Sequence, residues 1–188
     1  MLTAIVGINW GDEGKGRMVD LLSRDQQIVV RYQGDHSSEH TIVNENGRYV
    51  LNLLPAGILR SDVICVMGGG MAIDPVHLEK EIQALYDMGV CVSPENLRIS
   101  DRAPVILPFH TDIDQPSGVS LVYGDKTVNM AIRMGDLLSP DYLKARLEKI
   151  VAYHAEHLRT DLMLSYEEIL NFAIIRIYCF LITFHTGS

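Results

Sequence analysis

In the run Gly11-Asp12-Glu13-Gly14-Lys15-Gly16-Arg17, a lysine and two carboxylates sit among three glycines. Glycine lets a ligand approach the backbone, N–H groups at a helix start face an anion, and lysine adds a point charge for a phosphate oxygen. The acidic pair calls for a further explanation. Two carboxylates beside a phosphate repel it unless a metal ion lies between them or one of them moves a proton. The run is not a standard P-loop, because the first glycine is only three before Gly14 and Gly16 replaces the hydroxyl residue. An ordinary strand–turn–helix connection with a solvated acidic tip is the competing reading. The second candidate is His40-Thr41, which ends the polar stretch Gly34-Asp35-His36-Ser37-Ser38-Glu39. An imidazole titrating near neutrality can donate a proton to an oxyanion or a leaving phosphate, although a histidine opening a strand is more often a polar edge residue.

Several elements would have to position these groups. Leu2 to Ile8 has the length and β-branched content of a buried strand, and Arg17 to Ser23 reads as the start of a helix. Gln27–Tyr32 is a second strand. His40–Val43 and Arg48–Leu53 flank an Asn44-Glu45-Asn46-Gly47 turn as a hairpin. Asp62–Met67 is an apolar strand ending at Gly68-Gly69-Gly70. Asp74-Pro75 is a helix start with Leu78, Ile82 and Leu85 on one face and Gly89 as its stop. Leu97–Ile99 and Val105–Leu107 are short strands. Ser139-Pro140 opens a long amphipathic helix through Leu143, Leu147, Ile150, Val151 and Leu158, and Ser165 with Glu168 forms a capping box for a last helix.

The composition narrows the function class. A chain of 188 residues that is 47% hydrophobic can build a core and is not disordered. A net charge of −8 argues against a polyanion partner such as DNA or RNA but leaves room for a basic pocket holding one nucleotide. Cys65, Cys91 and Cys179 are odd in number and lack a CxxC pair, which suits buried thiols in a reducing cytosol better than disulfides or zinc. No signal peptide precedes the first apolar run, so a cytoplasmic protein is expected. Ala173–Phe184 is almost wholly apolar but too short to be assigned as a bilayer span. A buried helix or strand, or the product of a truncated or frameshifted reading frame, would account for it.

The residues Trp10-Gly-Asp-Glu-Gly-Lys-Gly-Arg-Met-Val19, with Val30-Arg31-Tyr32-Gln33-Gly34 and His40-Thr41-Ile42-Val43, resemble the adenylosuccinate synthetase family. Leu54-Pro55-Ala56-Gly57-Ile58-Leu59, Ile99-Ser100-Asp101-Arg102-Ala103, Ile106-Leu107-Pro108-Phe109-His110 and Arg133-Met134-Gly135-Asp136-Leu137-Leu138 fit it in the same order. The resemblance covers residues 2 to 138, and the family's chains are more than twice as long. It implies an α/β fold: a mainly parallel sheet flanked by helices, P-loop-like in its nucleotide binding, with the hairpin near residues 40–53. Residues 1–172 would form one incomplete nucleotide-binding domain and 173–188 a divergent tail.

The implied activity is GTP-dependent ligation of IMP and L-aspartate to adenylosuccinate, in a homodimeric, cytoplasmic enzyme of purine nucleotide synthesis that uses Mg²⁺. By resemblance Asp12 takes the N1 proton of IMP and His40 is the second catalytic residue. GTP would be held by Gly11, Asp12, Glu13, Gly14, Lys15, Gly16, Arg17, Glu39, His40 and Thr41. IMP would be held by Asp12, Glu13, Gly14, Lys15, Ser37, Ser38, Glu39 and His40. Mg²⁺ would be held by Asp12 and the Glu39 carbonyl. Partners other than these small molecules and a second copy, whether nucleic acid or membrane, are not implied.

The departures from the family pattern are specific. Where the family reads Gly-Asn-Asn-Ala-Gly-His, this chain reads Asp35-His36-Ser37-Ser38-Glu39-His40. Ser37 replaces an asparagine that helps hold IMP, and Glu39 replaces a glycine, so a positive φ there would cost about 1 kcal/mol. Pro116–Tyr123 stands for the segment that contacts the IMP phosphate, and Asn129 falls where the family has an arginine reaching the neighbouring subunit. Gly124-Asp125-Lys126-Thr127 has neither the order nor the spacing of a guanine-reading motif. A purine nucleotide-binding or regulatory homologue without turnover is the alternative function, and a partner that dimerises with a full-length relative is a third.

Overall fold

The structure is a computed structural model that describes residues 2–8, 13–44, 47–114 and 117–157. Helix α1 (Lys15–Leu22) follows Gly14, which holds a left-handed φ of 76° at the N-cap. The helix begins two residues earlier than the apolar pattern suggests, because Lys15 and Gly16 already belong to its first turn. Strand β1 (Ile28–Gly34) and the hairpin β2 (His40–Asn44) and β3 (Gly47–Leu51) come next, with His40 opposite Leu51. They are followed by β4 (Ile64–Met71), α2 (Pro75–Asp87) and β5 (Leu97–Ile99). Helices α3 (Pro108–Ile113), α4 (Val119–Thr127) and α5 (Pro140–His157) complete the described elements. The three-stranded sheet has the order β1-β4-β5, parallel at both pairings, and the hairpin forms a separate sheet.

Strand β4 runs through the glycine triplet instead of stopping before it. A Cβ on Gly70 would lie 2.3 Å from the Tyr32 carbonyl oxygen, so side chains are excluded where β1 and β4 converge. The end of that strand is held from α4: the Tyr123 hydroxyl donates to the Gly70 carbonyl at 2.7 Å and Lys126 Nζ to the Gly69 carbonyl at 2.6 Å. Val105–Leu107 makes only an isolated bridge from Val105 to Ile73, and Leu107 turns into the N-terminus of α3. The Asp74 side chain caps α2 by accepting from Val76 N at 2.9 Å and His77 N at 3.1 Å, and Gly89 stops that region with φ 81°. Leu78, Ile82 and Leu85 are buried, as are Leu143, Leu147 and Ile150 of α5. Leu158 and the expected last helix and tail lie outside the described residues.

Leu2–Ile8 is not a strand. It makes no ladder with any described element, and Leu2, Val6 and Ile8 are 94%, 63% and 94% exposed. A β-patterned segment becomes a strand only beside another strand that can take its N–H and C=O groups, and none of the described strands does so.

The hairpin is anchored from α2 by a buried carboxylate. Glu81 accepts the backbone N–H groups of Asn52 at 2.9 Å, Leu53 at 2.8 Å and Leu54 at 3.1 Å. Asn52 and Leu54 share Oε1, and Leu53 uses Oε2. Glu81→Gln would turn an NH₂ toward one of these donors while keeping the volume. It should lower unfolding free energy by about 1–3 kcal/mol, the cost of a buried donor without an acceptor. Urea denaturation of the two proteins measures the difference, and equal midpoints would show that the carboxylate carries no such role.

Candidate functional site

The glycine loop and the histidine strand meet. The His40 ring lies over the first turn of α1 so closely that a Cβ on Gly16 would be 2.6 Å from Cδ2 and 2.9 Å from Cβ of His40. Only glycine permits this contact. Lys15 Nζ is 2.5 Å from Glu13 Oε2, so in the free chain one member of the acidic pair neutralises the lysine. Gly7 folds back against the same two side chains. Gly14, Lys15 and Arg17 are exposed at the helix start. Asp12 and Gly11 lie outside the described residues.

The loop before His40 is anchored at its beginning and open at its end. Ser37 N donates to Asp35 Oδ1 at 2.7 Å, and the Asn52 side-chain amide donates to the His36 carbonyl at 3.1 Å. The His36 ring stacks on His77 with centroids 5.2 Å apart, and its Nδ1 is 3.6 Å from Asp74 Oδ2. Ser37, Ser38 and Glu39 are exposed beside His40, whereas Thr41 is half-buried on β2. Glu39 does not have positive φ: Asn129, at 60°, is the non-glycine residue with that conformation among the described residues. The cost expected from losing the family's glycine is therefore absent here.

His40 does not titrate near neutrality in the free chain. Burial is the main cause, the nearby Arg31 guanidinium works in the same direction, and a hydrogen bond to the Ser38 backbone opposes them; the result is about 4. The positive end of α1 acts in the same sense. Arg31 was not among the sequence candidates, although an arginine interrupting the apolar run Ile28–Tyr32 was a visible signal. Its guanidinium is desolvated, its Nη1 is buried without a hydrogen bond, and Glu81, Asp35 and Tyr123 are its charged or polar neighbours.

Asn129 and the segment before it are structural. Asn129 takes a left-handed turn after α4, its Oδ1 accepts from Arg133 Nη2 at 3.1 Å, and its carbonyl accepts from Arg146 Nη2 at 2.8 Å. Asp125 is buried between two histidines, 3.1 Å from His110 Nε2 and 2.7 Å from His154 Nε2. The three ligand-type atoms lie within 4.8 Å of one another, as a metal site would require. Protonation rules one out. His110 Nδ1 accepts the Leu107 N–H at 2.8 Å, so the neutral ring carries its proton on Nε2 and has no lone pair to offer there. Burial raises the Asp125 carboxyl, but the hydrogen bonds from His110 and His154 outweigh it and hold the group below its ordinary value. The cluster ties α3, α4 and α5 together.

The family model for adenylosuccinate synthetase matches residues 4–176. The chain belongs to the adenylosuccinate synthetase family. The adenylosuccinate synthetase of Vibrio cholerae is 39% identical over 184 residues, covering 89% of this chain and 42% of the relative. That of Caldanaerobacter subterraneus is 41% identical over 162 residues, covering 79% of this chain and 38% of the relative. Fully ligated adenylosuccinate synthetase from Plasmodium falciparum superposes with a TM-score of 0.79 at 28% identity, over 94% of this chain and 43% of that one. Succinoaminodeoxyadenylate synthetase of cyanophage S-2L, bound to dGMP and dATP as an energy donor, matches 63% of this chain and 35% of its own at TM-score 0.52 and 25% identity. The chain thus spans well under half the length of these family members. Its sheet and flanking helices are the α/β arrangement of the synthetase fold.

The thiols divide in two. Cys65 is buried and its pKa is pushed up to about 12 by desolvation, whereas Cys91 is exposed, against the expectation of buried thiols; Cys179 lies outside the described residues.

The state of His40 has a consequence for stability. The unfolded chain binds a proton at 6.5 and the folded chain only at about 4, so between these values the unfolded state carries more protons. This contribution is complete above pH 6.5 and is lost as pH falls toward 4. Urea midpoints should decline over that window, and His40→Gln should flatten the decline. An unchanged pH slope in the variant would contradict the assignment.

Proposed function

We propose that this chain carries the phosphate-loop and proton-transfer part of a GTP-dependent ligase joining IMP to L-aspartate. The observation that supports the reading most is the packing of the His40 ring on Gly16, which puts the second catalytic residue of the family at the positive start of the anion-facing helix α1. Residues 1–172 form its nucleotide-binding unit, with 173–188 as an appended tail.

In this reading Asp12 takes the N1 proton of IMP. Charge then develops on the 6-oxygen, which attacks the γ-phosphate of GTP, breaking its bond to the bridging oxygen and releasing GDP. The amine of aspartate later displaces phosphate from the 6-phosphoryl intermediate. His40 enters neutral and donates a ring N–H hydrogen bond to the charged oxygen. A neutral donor avoids the desolvation that a buried imidazolium would suffer. Gly11, Glu13, Gly14, Lys15, Gly16, Arg17 and Thr41 surround the GTP phosphates, and Ser37 and Ser38 with the Glu39 main chain face IMP. A Ser37 hydroxyl keeps one of the hydrogen bonds an asparagine would make. The oxygen donors of Asp12 and the Glu39 carbonyl suit a hard cation, and Mg²⁺ held there would neutralise phosphate charge. The whole assembly would be a cytoplasmic homodimer acting on small molecules, without nucleic acid or membrane. No helix among the described residues is long and apolar enough to cross a membrane.

Two tests separate binding from turnover. With Mg²⁺ present, Lys15→Ala should weaken binding of GTP or IMP about tenfold, or about 1.4 kcal/mol, for one lost charge-assisted contact. Titration calorimetry giving equal affinities would refute the phosphate role. The 188-residue chain alone should convert IMP, GTP and aspartate at a rate at least about a hundredfold below that of a full-length relative. Ligation needs every substrate held in line, and the chain spans 42% of the Vibrio cholerae enzyme. Any residual turnover should vanish in Asp12→Asn with nucleotide affinity little changed. A rate comparable to the full-length control would overturn this reading.

A further inference from the structure

Strand β4 carries a bulge where it meets the end of β1. Arg31 pairs with Met67 and Gln33 with Gly70, so Gly68 and Gly69 together stand opposite Tyr32. Helix α4 takes up the carbonyls there, Lys126 Nζ bonding that of Gly69 and the Tyr123 hydroxyl that of Gly70. The same hydroxyl accepts a hydrogen bond from the Gly34 backbone N–H, at the last residue of β1. Burial, with the Asp35 carboxylate nearby, raises the Tyr123 hydroxyl above its ordinary value, so it keeps its proton at neutral pH and can donate. Gly34 itself holds φ 124°, and a Cβ on it would lie 3.1 Å from Arg31 Nη2. The chain thus turns there in a conformation glycine adopts readily, over a guanidinium. The exposed Ser37, Ser38 and Glu39 follow. Helix α4 is fixed in its own right. Asp114 Oδ2 accepts the N–H groups of Ser120 at 2.9 Å and Leu121 at 3.3 Å, and Asp125 is bound by His110 and His154.

We infer that Tyr123 is a positioning residue for the nucleotide-facing loop: its hydroxyl fixes the turn at Gly34 from which residues 35–39 start. The inference rests on the reading that Ser37, Ser38 and the Glu39 main chain face IMP, and deepens it by naming what sets their place. Attachment of α4 to the sheet does not need the Gly34 contact, because the bonds to Gly69 and Gly70 already make it. What the further contact fixes is the direction in which the chain leaves β1. Beyond that point the loop has its own ties. Asp35 Oδ1 accepts the Ser37 N–H at 2.7 Å, and the Asn52 side-chain amide reaches the His36 carbonyl at 3.1 Å. Those bonds keep the loop's shape, and the Tyr123 hydroxyl keeps its origin. A shift at the origin moves Ser37 through Glu39 together, and a displacement of about 1 Å is enough to spoil their contacts with a ligand. Lys15 and Arg17 sit on α1, a different element, so the phosphate end of GTP is less affected.

Tyr123→Phe removes the hydroxyl and keeps the ring. In the full 188-residue chain, amide hydrogen exchange at Gly34 and Ser37 should speed up about tenfold or more, beyond any change at Leu147 and Ile150 of α5. Titration calorimetry with Mg²⁺ present should show IMP binding weakened about tenfold and GTP binding changed by less than about twofold. A merely structural contribution would weaken both nucleotides alike. Unchanged exchange at Gly34 and Ser37, acceleration spread evenly over the chain, or equal losses for IMP and GTP would overturn the inference. If the unmodified chain binds no IMP, the functional reading fails and the exchange pattern decides the positioning role by itself. If Tyr123→Phe does not fold, the unmodified chain decides: IMP should slow exchange at Gly34 and Ser37 together, and protection confined to Ser37 would overturn the inference.

Discussion

Glu81 fixes the place of the histidine strand. Its carboxylate sits inside the protein and accepts three successive backbone N–H groups at the end of the hairpin, a set of donors that no loop could bury without an acceptor. Those residues continue β3, whose Leu51 lies opposite His40 across the hairpin. One side chain on α2 therefore determines where the His40 ring lies, and so how closely it approaches Gly16. The same carboxylate is an electrostatic neighbour of the half-buried Arg31, which in turn disfavours protonation of His40.

The charges of the glycine loop are thus compensated within the free chain. Glu13 neutralises Lys15, and His40 is kept neutral by burial and by a cation. In the proposed reaction an incoming phosphate would compete with Glu13 for the lysine and raise the proton affinity of His40 while the ring still acts as a neutral donor. Among the described residues Glu13 is the counter-ion that a ligand anion would have to displace from Lys15.

Much of this was legible in the residues because the signals are local. Asp74-Pro75 announces a cap and the first turn of α2, Asn44–Gly47 announces a hairpin, and glycines around Lys15 announce a tight entry into α1. What was hidden depends on pairs far apart in the chain. Glu81 reads as an ordinary surface residue of an amphipathic helix until residues 52–54 are placed against it. Gly68–Gly70 reads as a strand stop until the Tyr32 carbonyl shows why the strand needs glycine. Leu2–Ile8 reads correctly as β-patterned, yet being a strand is a property of the neighbour as much as of the segment. Arg31 and His40 illustrate the same limit for chemistry: residue type suggests a histidine titrating near neutrality, and only its surroundings reveal that it does not.

His40 is held neutral over the helix start, and a phosphate bound there would raise its proton affinity. Following the His40 ring by ¹³C and ¹⁵N chemical shift against pH, in the free protein and with IMP, GTP and Mg²⁺ present, measures this directly. The free ring should titrate at about 4 and move upward in the bound state. A free-state midpoint at the ordinary value of 6.5, or one that nucleotide leaves unmoved, would contradict the account.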